Sequence, residues 1–316
     1  MHALFSRRMI IGLALLVVLA LNLTLESVTH LPVHAAPARA SMTLSKVTGP
    51  PTTTLTVKGS GFGSSETVIA TFDHTTIVGS TRTSRLGSFS LGITIPATAL
   101  PGWQSIQATG RRSGLTASRT FRVNTDWSQF GYDRAQSRTN PYENVLSRTN
   151  VSRLTLDWRY PTGSLIYSSP AVVNGVLYIG SYDNSVYALD ARTGTKLWSY
   201  ATGNVIYTVP AVAHGVVYIG SEDDSVYAVD AKTGTRLWSY TSGNLIVSSP
   251  TVANGVVYVG SYDNTLYALN AKTGIKLWNY AMGSNVVSSP AVVNGVLYIG
   301  SEDFNVYAFH LPGKQP

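Results

Sequence analysis

Asp183, Asp223, Asp263 and Asp303 stand 40 residues apart in a chain of 316 residues. Carboxylates at a fixed interval could gather around one axis and hold a cation or share a proton. Each of them, however, falls in a short polar stretch between two apolar runs. There an aspartate bonds to nearby backbone amides, so turn chemistry accounts for it without a metal. Glu222-Asp223-Asp224 is the only local concentration of acid, and His214 replaces the asparagine found at positions 174, 254 and 294. These four residues are candidate interaction residues. The six histidines have no ligand spacing to one another. The chain has no cysteine, which excludes disulfides, thiolate metal sites and a cysteine nucleophile. It carries no phosphate loop, no G-x-S-x-G elbow and no basic-aromatic stripe suited to nucleic acid. The expectation is no catalytic, cofactor-binding or metal-binding residue, and no nucleic-acid partner.

The elements that carry these turns repeat without insertion or deletion from Val151 to His310. Trp158, Trp198, Trp238 and Trp278 keep the same interval, as do Pro170, Pro210, Pro250 and Pro290. A period near 40 built of short β-rich runs is the signature of a propeller blade. Within Ser168 to Tyr200 the spacing predicts four antiparallel strands, with Asn174-Gly175 supplying positive φ at the first hairpin. Val176-Leu177-Tyr178-Ile179 is apolar on both alternating faces, so each sheet must be covered on both sides. Blades this alike argue against an asymmetric catalytic constellation.

The string Ala188-x-Asp190-x-x-Thr193-Gly194-x-x-x-Trp198 returns as Ala228, Asp230, Thr233, Gly234 and Trp238. It returns again as Ala268, Asn270, Thr273, Gly274 and Trp278. It resembles the tryptophan-docking motif of the pyrroloquinoline quinone (PQQ) repeat family, and Asp126-Trp127 with Asn150-Val151, Leu154 and Trp158 resembles that family's lead-in. The resemblance implies a β-propeller in which Trp158, Trp198, Trp238 and Trp278 pack between blades, near turns carrying Asp190, Asp230, Gly194, Gly234 and Gly274. Quinoprotein dehydrogenases of the family hold a metal through Glu, Asn and Asp and often a vicinal cysteine pair. This chain departs from that pattern, so the expected cofactor set is none, PQQ included. Members without a cofactor bind partners through their loops.

Along the chain, residues 1–40 read as a signal peptide, with Arg7 and Arg8 before an apolar run; an uncleaved membrane anchor is the alternative. Export to the cell surface or medium is the expected localisation. Residues 41–125 read as an immunoglobulin-like β-sandwich, in which Thr54 to Phe62 resembles the opening strands of IPT/TIG-type domains. Residues 126–150 form a polar lead-in, and 151–316 the propeller. The net charge of +7 sits mainly in residues 41–125, which hold eight Lys/Arg against two acids. Arg111 and Arg112 there are candidates for an anionic cell-envelope polymer. In the last repeat, Leu311-Pro312 replaces the Trp-bearing strand, while Leu154 to Tyr160 is a fourth strand with no first three. Together they predict an all-β fold with four blades, closed by pairing first and last strands. One chain closes as a monomer, or two chains form a homodimer with eight blades. The functional expectation is a non-enzymatic binding or scaffold protein for a protein or envelope polymer; a quinoprotein oxidoreductase and a carbohydrate-binding propeller are the alternatives.

Overall fold

The computed structural model describes residues 40–312, so the expected export signal lies outside the described residues except for Ala40. The first eight strands are β1 (Ser41–Leu44), β2 (Thr48–Gly49), β3 (Thr54–Ser60), β4 (Thr67–Phe72), β5 (Thr76–Arg82), β6 (Phe89–Thr94), β7 (Gly102–Gly110) and β8 (Thr116–Val123). They form a three-stranded sheet, β1-β3-β6, and a five-stranded sheet, β2-β8-β7-β4-β5. Alternation decides which side is covered: Leu55 and Val57 of β3 and Val68, Ala70 and Phe72 of β4 point inward. With Met42, Ile106 and Phe121 they make one core shared by the two sheets.

The repeats give fifteen strands. The first sheet holds β9 (Ala171–Val173), β10 (Val176–Gly180), β11 (Ser185–Asp190) and β12 (Lys196–Ala201). The second holds β13 (Ala211–Ala213), β14 (Val216–Gly220), β15 (Ser225–Asp230) and β16 (Arg236–Thr241). The third holds β17 (Thr251–Ala253), β18 (Val256–Gly260), β19 (Thr265–Asn270) and β20 (Lys276–Ala281). The fourth holds β21 (Ala291–Val293), β22 (Val296–Gly300) and β23 (Val306–His310). Every sheet is an antiparallel meander in chain order. Asn174 and Gly175 turn β9 into β10 with φ of 53° and 78°, the mirror-image turn that suits twisted strands.

Successive sheets pack face to face through knobs and holes. Ile206, Ile246 and Val286 are fully buried, and each presses on a glycine of the sheet before it. A Cβ built on Gly180 would lie 2.3 Å from Ile206, and one on Gly220 2.2 Å from Ile246. Only glycine leaves room there. Tyr178, Trp198, Val217 and Ile219 fill the space between the first two sheets, and Tyr218, Val257 and Val259 that between the second and third.

The lead-in reaches all four sheets at their innermost strands. Trp127 and Val172 exchange both backbone hydrogen bonds, at 2.7 and 2.6 Å, and the Val212 N–H donates to the Ser128 carbonyl at 2.7 Å. Gln129 accepts from the Val252 N–H at 3.5 Å. The Val292 N–H donates to the Arg134 carbonyl at 3.0 Å, and the Gln136 amide donates to the Ser289 and Pro290 carbonyls at 3.1 and 2.6 Å. A segment that sequence pattern gives as featureless thus ties the sheets together.

The expected closure of the ring within one chain is not formed. Among the described residues, 154–160 pair with no strand, and the fourth sheet has three strands rather than four. This segment docks on the first sheet as Trp198 and Trp238 dock on the sheets after their own: the Trp158 indole rests on Gly194 and donates to the Ala191 carbonyl at 3.1 Å. β23 does not come round to meet it. Four blades in a closed ring is therefore corrected to four sheets in an open stack.

Candidate functional site

The repeat aspartates occupy the turns between the second and third strands, and each one staples two neighbouring segments. Asp183 accepts from the Gly163 N–H at 2.6 Å, the Tyr187 hydroxyl at 2.7 Å and the Ser185 N–H at 3.1 Å. Asp223 does the same with Gly203, Tyr227 and Ser225, at 2.6, 2.7 and 3.0 Å. Asp263 takes Gly243, Tyr267 and Thr265, and Asp303 takes Gly283, Tyr307 and Asn305. Burial, and then the carboxylate beside them, pushes the Tyr187 and Tyr227 hydroxyls up to about 12. Acids spent this way have few lone pairs left for a cation.

The next turn uses the other recurrent acid. Asp190 accepts from the Thr193 N–H and hydroxyl at 2.8 and 2.9 Å and from the Arg192 N–H at 3.0 Å. Asp230 repeats these bonds with Thr233 and Lys232. The turn ends at Gly194, Gly234 or Gly274, at φ of 69–74°, where a Cβ would strike the indole of Trp158, Trp198 or Trp238. The indole N–H groups of Trp198 and Trp238 donate to the Ala231 and Ala271 carbonyls at 3.0 Å. Trp278 differs: it is 39 % exposed and meets Phe309 edge-on at 5.2 Å.

On the same face as the aspartate staples lies an aromatic cluster confined to the first two sheets. Tyr167 and Tyr207 stack at 6.0 Å with their planes 25° apart, and Tyr182 stands 4.9 Å from Tyr167. Tyr167 and Tyr207 are 58 % and 46 % exposed. The third and fourth sheets carry Val247 and Val287 instead. Burial, followed by the neighbouring Glu222 carboxylate, raises the Tyr182 hydroxyl. Three aromatic faces beside one carboxylate make a surface able to take apolar contact and a directed hydrogen bond together.

The family described as outer membrane protein assembly factor BamB matches residues 105–244 and 202–315, about two thirds of the chain. The chain belongs to this family. Among curated proteins it is 32% identical over 85 residues to the 1-butanol dehydrogenase (cytochrome c) of Thauera butanivorans, covering 26% of this chain and 12% of that one. It is 29% identical over 99 residues to the quinohemoprotein alcohol dehydrogenase of Comamonas testosteroni, covering 31% and 14%. The matched stretches thus span about one eighth of the length of these curated relatives. Among solved structures, the quinohemoprotein alcohol dehydrogenase ADHIIG of Pseudomonas putida HK5 aligns with a TM-score of 0.51 at 26% identity, over 56% of this chain and 34% of that one. The Comamonas testosteroni enzyme aligns with a TM-score of 0.50 at 23% identity, over 56% and 35%. The sheets of the repeat region are blades of a PQQ-like β-propeller.

Within this BamB-family propeller the candidate interaction residues fall in three places. Glu222, Asp223 and Asp224 lie at one end of β14 and His214 at the other, so the strand's length separates them. Asp223 is a staple, Asp224 takes the left-handed turn position at φ 68°, and Glu222 joins the tyrosines. His214, at φ 52°, lines a cavity of about 500 Å³ on the opposite face with Asp126, Tyr132, Asp133, Arg134 and Asn254. Arg111 and Arg112 are exposed in the turn between β7 and β8. That turn is held from beneath by Glu66, a residue that sequence pattern did not single out. Its carboxylate accepts from the N–H groups of Gly63, Arg112 and Ser113 at 2.6, 3.0 and 2.8 Å and from the Ser113 hydroxyl at 2.7 Å. One of only two acids in a basic segment, standing at the entry of an apolar strand, was the available signal.

Proposed function

We propose that the chain is an exported, non-enzymatic scaffold that binds a protein partner through the tyrosine face of its propeller. The observation that carries this reading is the exposed stack of Tyr167 and Tyr207 beside Tyr182 and Glu222. Rigid tyrosines bring large contact area at low entropic cost, and they are enriched among residues that dominate binding energy. The two-sheet unit of β1–β8 serves as an immunoglobulin-like spacer, and Arg111 and Arg112 at its tip face an anionic envelope polymer. Membership of a family described as an outer membrane protein assembly factor supports a role in protein contact.

The relatives that are alcohol dehydrogenases favour a second reading, a quinoprotein. The residues present do not fit a quinone and its metal: each repeat carboxylate already accepts from a Gly N–H, a Tyr hydroxyl and a Ser, Thr or Asn N–H, and the inner strands are bonded to the lead-in. Two measurements separate the readings. Photo-crosslinking from position 207 in cells should trap a discrete protein partner, and Tyr167→Ala with Tyr182→Ala should cut its yield at least tenfold while the fold is kept. A saturable, stoichiometric absorbance change with PQQ and calcium would instead establish the quinoprotein. Retention on a glycan array, lost in the same double variant, would move the tyrosine face to carbohydrate.

A further inference from the structure

Each junction between successive blades uses the same knob and hole, and one such pair is left over. In the three internal junctions a branched side chain fills a glycine hole: Ile206 at Gly180, Ile246 at Gly220 and Val286 at Gly260. The equivalent knob on the first blade is Ile166, which is 46 % exposed where its three counterparts are fully buried. The equivalent hole is Gly300 on the last blade, where a Cβ would meet only Ser288, at 3.5 Å. A knob without a hole and a hole without a knob stand at opposite ends of the stack.

Two further contacts are divided in the same way. Tyr178 and Tyr218 donate to the Ala231 and Ala271 carbonyls at 3.1 and 3.0 Å, oxygens that also accept the Trp198 and Trp238 indoles. Their counterpart on the last blade, Tyr298, is 37 % exposed. Its counterpart acceptor, the Ala191 carbonyl, takes the Trp158 indole and has a second lone pair. In the complete blades the third strand pairs with the outer one, Val186 against Tyr200 and Ala188 against Trp198. The same register sets Val306, now 81 % exposed, against Tyr160, and Ala308 against Trp158. Val186, Val226 and Leu266, its equivalents, are buried.

One chain does not join these halves. If each blade turned by a quarter circle from the last, the fourth would lie against the first and bury both faces. Both stay exposed, so the turn per junction is smaller and the four blades form an arc. Doubling the arc closes it with a symmetric pair, the commonest closed assembly. We propose that two copies of this chain close head to tail into one eight-bladed ring. Each copy sets its Ile166 into the other's Gly300 and lends residues 156–160 as the outer strand of the other's last blade. This goes beyond the partner binding proposed above: Tyr182, Tyr207 and Glu222 lie on the first two blades away from the closing junction, and Tyr167 alone borders it.

Light scattering and cysteine pairing test it together. The purified chain should have twice its sequence mass, and Ile166→Glu should halve that mass with unchanged circular dichroism. Because the chain has no cysteine, Ile166→Cys and Gly300→Cys can be made in separate preparations and mixed. A covalent dimer should form, as the internal pair Gly180→Cys with Ile206→Cys should link within one chain. A monomeric mass would overturn the proposal. So would a trimer or longer species, or a crosslink that forms only inside a chain bearing both substitutions.

Discussion

A single buried carboxylate, Glu66, shows how one side chain can set the geometry of a surface turn. Burial opposes its charge, yet the hydroxyl and N–H of Ser113 and the N–H groups of Arg112 and Gly63 outweigh that and hold its carboxyl at about 2, against an ordinary 4.5. A carboxyl lowered in the folded state contributes stability above the ordinary value, and that contribution disappears as pH falls from about 4.5 towards 2. Its size is on the order of 3 kcal/mol. Glu66→Gln should therefore lower the melting temperature of the two-sheet unit at pH 7 and flatten its acid limb, as calorimetry between pH 2 and 7 would reveal. An unchanged acid limb would remove Glu66 from this role. Composition flagged Arg111 and Arg112 as charges but not the acid that presents them, because a hydrogen-bonded turn is a property of backbone positions brought together from 46 or more residues away.

The blade was the most legible element. Its period, its Asn-Gly hairpin and its two-sided apolar strands all point to stacked four-stranded sheets, and the PQQ-like propeller has them. The blade-to-blade contact was less legible, because a glycine that accepts an isoleucine from 26 residues further on looks like any strand-end glycine. Its importance can be measured. Gly220→Ala places a methyl 2.2 Å from Ile246 and 3.1 Å from Thr208, so the blades must part to accept it. It should cost about 1–3 kcal/mol in chemical denaturation, the usual penalty for overpacking. Trp198→Ala, which empties a buried site and leaves the Ala231 carbonyl with the Tyr178 hydroxyl alone, should cost about 3–5 kcal/mol. Equal effects at Trp278, which is far more exposed, would contradict the packing described.

At the scale of the molecule, closure within one chain was the expectation that failed, for a reason invisible in sequence: strand count gives the number of blades but not the angle between them. The bonds of the lead-in were illegible as well, since they are made by backbone groups and by single polar side chains, Gln129 and Gln136, that leave no pattern. Those bonds predict how the protein behaves when cut. Trypsin should cleave first near Arg148 or Arg153, which are exposed. The two fragments should nonetheless co-elute in gel filtration, because residues 127–136 pin the first to all four blades of the second. Separation without denaturant would show that the lead-in does not hold them.

The lead-in also bears on how a chain of nearly interchangeable blades finds its order. Knobs and holes of one pattern recur at every junction, so a slip by one whole repeat satisfies almost the same contacts. The lead-in is not periodic: it offers a backbone pair to Val172, a carbonyl to Val212, a side-chain amide to Val252 and a carbonyl with a second amide to the fourth blade. It acts as a ruler laid across identical rungs. A slipped arrangement mismatches every mark on it, and the fold's uniqueness rests on the least regular part of the chain.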